Sequence, residues 1–270
     1  MKKNIDEYNS RQGKIIFILL IILIILSIIY IFKILLIGKE AEEESMLLNE
    51  IEIKEENISY KKVKVDEKEK KKIESGERIA KVKELQKQNK DIIGWIEIKG
   101  TKINYPVLQG SDNEYYMSHN YKKEKSEKGS IFLDYRYNLE KSSTNLLIYG
   151  HNIITGELFK DLLKYSKRDF YETHPIIRLT TSKEDMEFEI ISVLKTKVYS
   201  INENNVFKYY QFINAKDKDE YNEFVKNAKE NSLYETGIEA EYGDRLITLS
   251  TCSYHTENGR FAVIGRKKEE

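Results

Sequence analysis

Arg245-Leu246-Ile247-Thr248-Leu249-Ser250-Thr251-Cys252 is the stretch on which the reading of this chain turns, a run of aliphatic and β-branched residues stopping at the one cysteine in the sequence. Such text favours a short, well-buried strand. Ser253-Tyr254-His255-Thr256-Glu257-Asn258-Gly259 then reads as a loop, and Phe261 to Gly265 as a last strand.

The same grammar recurs upstream, from Asp91 onward. Gly94-Trp95-Ile96-Glu97-Ile98 and Lys102 to Leu108 read as strands around a Lys99-Gly100-Thr101 turn. Ser130 to Asp134 and Asn145 to Tyr149 are short apolar runs of the kind that forms buried strands. Met186, Phe188 and Ile190 alternate with Glu187 and Glu189, the period of a half-buried strand. One helix stands between the strands: Tyr221, Phe224, Val225 and Ala228 share a face, and Asp217 with Glu220 is spaced as a capping box. The pattern predicts a mainly β fold, an antiparallel barrel or sandwich with a few peripheral helices.

The first third of the chain is different text. Ile15 to Phe32 is almost wholly Ile, Leu and Phe, and with residues through 37 it is long enough to cross a bilayer as a helix. Lys33 near its end can reach the headgroups. No small-residue cleavage site follows, so an uncleaved anchor at 15–37 is expected rather than a signal peptide. Residues 1–14 carry Lys2, Lys3, Arg11 and Lys14 against Asp6 and Glu7, which keeps this tail cytoplasmic and puts the rest outside the cell. Residues 38–76, dominated by Glu and Lys, are expected to form a solvated, partly helical stalk. An amphipathic helix over 77–90, marked by Ile79, Val82 and Leu85, opens a domain at 77–270 whose barrel covers 91–266.

Composition sets limits. With 45 basic and 45 acidic residues the formal charge is zero, which argues against nucleic acid as a partner. A single cysteine forbids an intrachain disulfide and a cysteine-based zinc cluster. No metal or organic cofactor is suggested.

Chemistry gathers at two strand ends. A lone cysteine is most often a small buried hydrophobe. Cys252, however, lies in an exported domain without a partner and opens a loop, and such positions are where sites are built. The other strand end is Tyr149-Gly150-His151-Asn152. His119 lies in a polar loop and His174 precedes Pro175, so both read as surface residues, while His255 is a weaker partner only three residues past Cys252. A thiolate nucleophile needs an imidazole to return a proton to the leaving amine, and His151 suits that role. Arg260 supplies a permanent charge that can stabilise an oxyanion. Spacing alone stops at a candidate cysteine enzyme.

At these residues the sequence resembles the sortases, in particular class B. The likeness runs from Asp91 to Arg266: Thr248-Leu249-Ser250-Thr251-Cys252 is similar to the family's TLxTC nucleophile strand, Tyr149-Gly150-His151 to its histidine motif, and Arg260 stands where the family has its catalytic arginine. Gly94-Trp95-Ile96, Tyr105-Pro106-Val107, Gln109 to Asn113 and Gly129 to Asp134 are further class-typical text, and the helix near 217–230 sits where class B members insert one.

The resemblance implies an eight-stranded sortase β-barrel behind an N-terminal transmembrane helix, and a two-step transpeptidation by Cys252, His151 and Arg260. It implies surface-protein substrates with an NPxTN-like C-terminal sorting signal, and an amine of peptidoglycan or its lipid-linked precursor as acceptor. Asn113, Met117, Tyr149 and Ser250 occupy positions like the family's peptide-groove residues. Some class B members carry Asp two residues after the cysteine, where this chain has Tyr254, so a Cys-His-Arg set is expected in place of a Cys-His-Asp triad. Two alternatives are a pilin-polymerising sortase, disfavoured because no span follows the barrel text, and a non-catalytic membrane-tethered binding domain.

Overall fold

A computed structural model describes residues 15–35, 67–141 and 143–269. The tail 1–14, the end of the expected span and most of the expected stalk lie outside the described residues. The chain divides into two compact units, residues 1–62 and 63–270.

In the first unit, α1 (Ile15–Leu35) is 21 residues long with a mean hydropathy of 3.5. At about 1.5 Å per residue it is long enough to cross a bilayer. Its Ser27 hydroxyl donates to the carbonyl of Ile24 at 2.8 Å, so the polar group among the aliphatic residues is satisfied within the helix.

The second unit is a closed eight-stranded barrel. Its strands are β1 (Ile92–Glu97), β2 (Asn104–Leu108), β3 (Ile131–Leu133), β4 (Asn145–Tyr149), β5 (Ile176–Thr181), β6 (Asp185–Lys197), β7 (Leu246–Cys252) and β8 (Gly259–Lys267). Around the barrel the order is β1-β2-β3-β4-β7-β8-β6-β5, closing on β1. Six of the eight pairings are antiparallel; β2 with β3 and β4 with β7 run parallel. A closed sheet leaves no unpaired edge.

Burial explains why the strands read as they do. β7 is buried from Leu246 through Thr251, with both faces covered, so its text is a continuous apolar run without alternation. β6 alternates from Asp185 to Ile190 and is then buried through Leu194, where α4 (Lys218–Glu230) covers its outer face and the Ser192 hydroxyl donates to the carbonyl of Ala228. α4 buries the expected Tyr221, Phe224, Val225 and Ala228. Its cap departs slightly from a capping box: Asp217 accepts from the Glu220 amide, but the Glu220 carboxylate accepts from the Lys216 amide instead of that of Asp217.

Two readings of the sequence differ from the structure. α2 (Glu67–Gln88) starts ten residues ahead of the expected helix, so 67–76, placed in the stalk, is helical. Lys and Glu are good helix formers, and once the next turns are docked the helix extends outward at little cost. The docked part buries Val82 and Leu85, lays Lys81 over the Trp95 ring at 4.3 Å and pairs Arg78 with Asp185 at 2.7 Å. The other difference is β5, whose Ile176-Ile177-Arg178-Leu179 text was not recognised as a strand; it lies in the barrel between β6 and β1.

Candidate active site

The site is built at the ends of three neighbouring strands. β4 and β7 are in parallel register with Tyr149 beside Ser250, so the residues two further along, His151 and Cys252, lie level at the strand ends. On the other side of β7, Cys252 pairs directly with Arg260 of β8 in antiparallel register. Directly opposed residues have Cα atoms about 4.5–5.5 Å apart. The order across the sheet is therefore His151, Cys252, Arg260.

Past their last ladder pair, β4 and β7 are fastened by three bonds. The Gly150 amide donates to the Ser250 carbonyl at 3.1 Å, the Thr251 hydroxyl to the Gly150 carbonyl at 2.7 Å, and the Asn152 amide to the Cys252 carbonyl at 3.0 Å. The sequence contains Gly150 for a steric reason: a Cβ there would lie 2.7 Å from the Phe159 ring, which packs fully buried beneath this corner. The Phe159 amide in turn donates to the His151 carbonyl at 3.0 Å, fixing the backbone of the histidine. Asn152 is buried, and its side-chain oxygen has no hydrogen-bond partner among the described residues.

Cys252 is a free thiol, half-buried, as are His151 and Arg260. The His151 Nε2 lies 2.9 Å from the carbonyl of Met117. A carbonyl only accepts, so in this contact Nε2 is the donor. Arg260 turns its Nη1 back onto the Gly259 carbonyl at 3.0 Å, which holds the guanidinium near the turn joining β7 to β8. Residues bearing a thiol, an imidazole and a guanidinium, set in register at neighbouring strand ends, are the set needed to form a covalent acyl intermediate, move a proton and stabilise an oxyanion.

The four residues expected along a peptide groove have different surroundings. Met117 ends a 3₁₀ turn (Tyr115–Met117) with its side chain exposed. Asn113 is half-buried; its amide donates to Asp134 at 3.0 Å and its oxygen accepts from the Tyr135 amide. The Tyr149 hydroxyl donates to the same Asp134 carboxylate at 3.2 Å. Ser250 is buried, its hydroxyl 2.7 Å from that of Tyr209.

The remaining histidines stand apart. His119 stacks on Tyr115 with ring centroids 4.1 Å apart, and His174 stacks on Phe170 at the same separation. His255 sits in the β7–β8 turn with its Nδ1 2.9 Å from the Ser253 hydroxyl; partial burial and the nearby Lys195 lower its pKa. Tyr254 is exposed.

Sequence reasoning missed Asp134. It is fully buried at the end of β3, and its carboxylate accepts from the Arg136 amide, Nε and Nη2 as well as from Asn113 and Tyr149. Burial works against its charge, but the hydrogen bonds and charge of Arg136 outweigh it and hold the carboxyl below the usual range. The only signal in the sequence was an acid directly after an apolar run.

Comparison with known proteins gives the family. Residues 96–268 match the model of the Sortase domain. The chain is 38% identical over 194 residues to sortase B of Listeria monocytogenes, covering 71% of this chain and 76% of that one. Among solved structures, a C232S form of Clostridium perfringens sortase B aligns with a TM-score of 0.63 at 31% identity, over 69% of this chain and 86% of that one. Staphylococcus aureus sortase B, solved as a substrate complex, aligns with a TM-score of 0.62 at 29% identity, over 75% and 98%.

Proposed function

Because the chain belongs to the sortases, and within them to class B, it is a sortase transpeptidase, and we propose that Cys252, His151 and Arg260 carry its chemistry on an NPxTN-like sorting signal. The Cys252 thiolate attacks the carbonyl carbon of the signal's Thr, and the oxyanion that forms is stabilised by Arg260. His151, protonated on both nitrogens, gives a proton to the departing amine as the C–N bond breaks, leaving a thioester on Cys252. An amine of peptidoglycan or its lipid-linked precursor then loses a proton to His151 and attacks the thioester. The new amide forms and the thiolate leaves. One amide replaces another, so no external energy source is required.

The observation that supports these roles is the register that sets His151, just past β4, level with Cys252 of β7, and Cys252 opposite Arg260 of β8, at one end of the barrel. Asn113, Met117, Tyr149 and Ser250 are the proposed peptide-groove residues: the Met117 carbonyl meets His151, Asn113 and Tyr149 share Asp134, and Ser250 pairs with Tyr209. α1 anchors the enzyme in the cell membrane as a single pass, with the N-terminal tail cytoplasmic and the barrel outside, as the basic residues of 1–14 direct.

The test uses quenched fluorescent sorting peptides and intact-mass detection of the acyl-enzyme. Cleavage of one motif after Thr, with a thioester adduct that Cys252→Ala abolishes, is the expected result. Continued cleavage by Cys252→Ala would remove the cysteine mechanism.

A further inference from the structure

Asp134 has more partners than a structural ion pair requires. Arg136 alone, through Nε at 2.8 Å and Nη2 at 2.7 Å, would satisfy a buried carboxylate. The same carboxylate also receives the Asn113 amide at 3.0 Å and the Tyr149 hydroxyl at 3.2 Å, from two separate parts of the chain. Both parts lead to His151. Asn113 opens the segment that ends at Met117, whose carbonyl holds the His151 ring, and Tyr149 precedes His151 by two residues on β4. On the far side, Arg136 Nη2 reaches the carbonyl of Tyr210, next to the Tyr209 that bonds Ser250.

We propose that Asp134 is a positioning residue for recognition of the sorting signal, its buried carboxylate orienting the Asn113 amide and the Tyr149 hydroxyl toward the bound peptide, a role that rests on the transpeptidase reading above. With one amide hydrogen on Asp134 and its oxygen on the Tyr135 amide, Asn113 presents its single remaining N–H in a fixed direction. Tyr149 spends its only O–H on Asp134, so toward a peptide its oxygen can act only as an acceptor. Substrate recognition is thereby set by a residue that does not touch the substrate.

The experiment takes the full-length protein in detergent micelles with a quenched NPxTN-type peptide. It compares wild type, Asp134→Asn, Asn113→Ala, Tyr149→Phe and the doubles with Asp134→Asn. Alkylation of Cys252 by iodoacetamide reports the nucleophile independently of peptide recognition. Asp134→Asn is expected to raise KM about tenfold, the loss of one well-oriented hydrogen bond to the peptide, with kcat held within about threefold and alkylation unchanged. The doubles are expected to be no worse than Asp134→Asn alone, because all the variants act through one network. An unchanged KM, additive doubles, or a parallel fall in kcat and alkylation would overturn the proposal. If Asp134→Asn does not fold, Asn113→Ala and Tyr149→Phe must each raise KM with kcat held; failure of either has the same consequence. A wild-type enzyme that cleaves no sorting peptide and forms no adduct refutes the transpeptidase reading itself, before any variant is considered.

Discussion

Cys252 and Arg260 are direct partners in the β7–β8 ladder, so the proposed nucleophile and the proposed oxyanion-binding cation are held in place by backbone pairing and by a turn of only six residues. The spacing between them is therefore a property of the sheet and does not depend on side-chain rotamers alone.

Replacing the cation tests what that spacing is for. Arg260→Ala is expected to lower kcat/KM for a sorting peptide by roughly 10²–10³, the range found when an oxyanion donor is removed. Arg260→Lys should recover only part of that loss, because a single ammonium cannot reproduce the guanidinium fork. Peptide kinetics with circular dichroism as a folding control would check this; full activity in Arg260→Ala would exclude Arg260 from oxyanion stabilisation.

The turn itself is sterically committed. A Cβ on Gly259 would lie 2.0 Å from the Ser253 carbonyl oxygen and 3.0 Å from that of Thr256. Gly259→Ala must open the turn and pull Arg260 out of line with Cys252. Peptide cleavage is expected to fall at least tenfold, with the melting temperature lowered by only a few degrees because the core strands are untouched. Retained activity would show that the turn relaxes without moving the pair.

Gly150 makes the equivalent case on the histidine side. Gly150→Ala forces a Cβ against the Phe159 ring and is expected to cost about 1–3 kcal/mol, as overpacked core positions do. Shrinking the ring in Gly150→Ala/Phe159→Leu should restore part of the activity by freeing the space. Chemical denaturation and peptide cleavage on the single and double variants would check both statements.

Alkaline stability follows from Tyr209. Burial pushes its hydroxyl up to about 12, against the opposing influence of the Ser250 bond and the Arg260 charge. A raised folded-state pKa means that this contribution to stability is complete below pH 10 and is lost as pH rises from about 10 through about 12. Tyr149, Tyr165, Tyr221 and Tyr234 are raised in the same direction by burial. Tyr209→Phe should therefore flatten only part of the alkaline loss, while costing about 1–3 kcal/mol at neutral pH by leaving the Ser250 hydroxyl unpaired. Urea midpoints measured from pH 7 to 11.5 give both quantities.

The barrel was legible because most of its strands are buried on both faces or alternate cleanly, and Thr248 to Cys252 and Tyr149 to His151 have patterns that local text can carry. β5 is hard to read because Ile176-Ile177-Arg178-Leu179 is a short run directly after a proline, and periodicity over four residues does not separate strand from loop. The start of α2 was missed because charged helix and charged coil share one composition. Asp134 could not have been found: its partners lie 2, 15 and 21 residues away along the chain, and only the closed barrel brings them to one carboxylate. The register that sets His151 level with Cys252 is likewise a property of β4 meeting β7, about a hundred residues apart.

That parallel meeting of β4 and β7 also ties the candidate site to closure of the barrel. In the closed order β7 and β8 lie between β4 and β6, so the six earlier strands and their loops carry His151 and neither Cys252 nor Arg260. Barrel closure and assembly of the candidate site thus depend on the same long-range pairings, the kind that slow folding. The residues proposed to carry the chemistry therefore come together only where strands about a hundred residues apart in the sequence close the barrel.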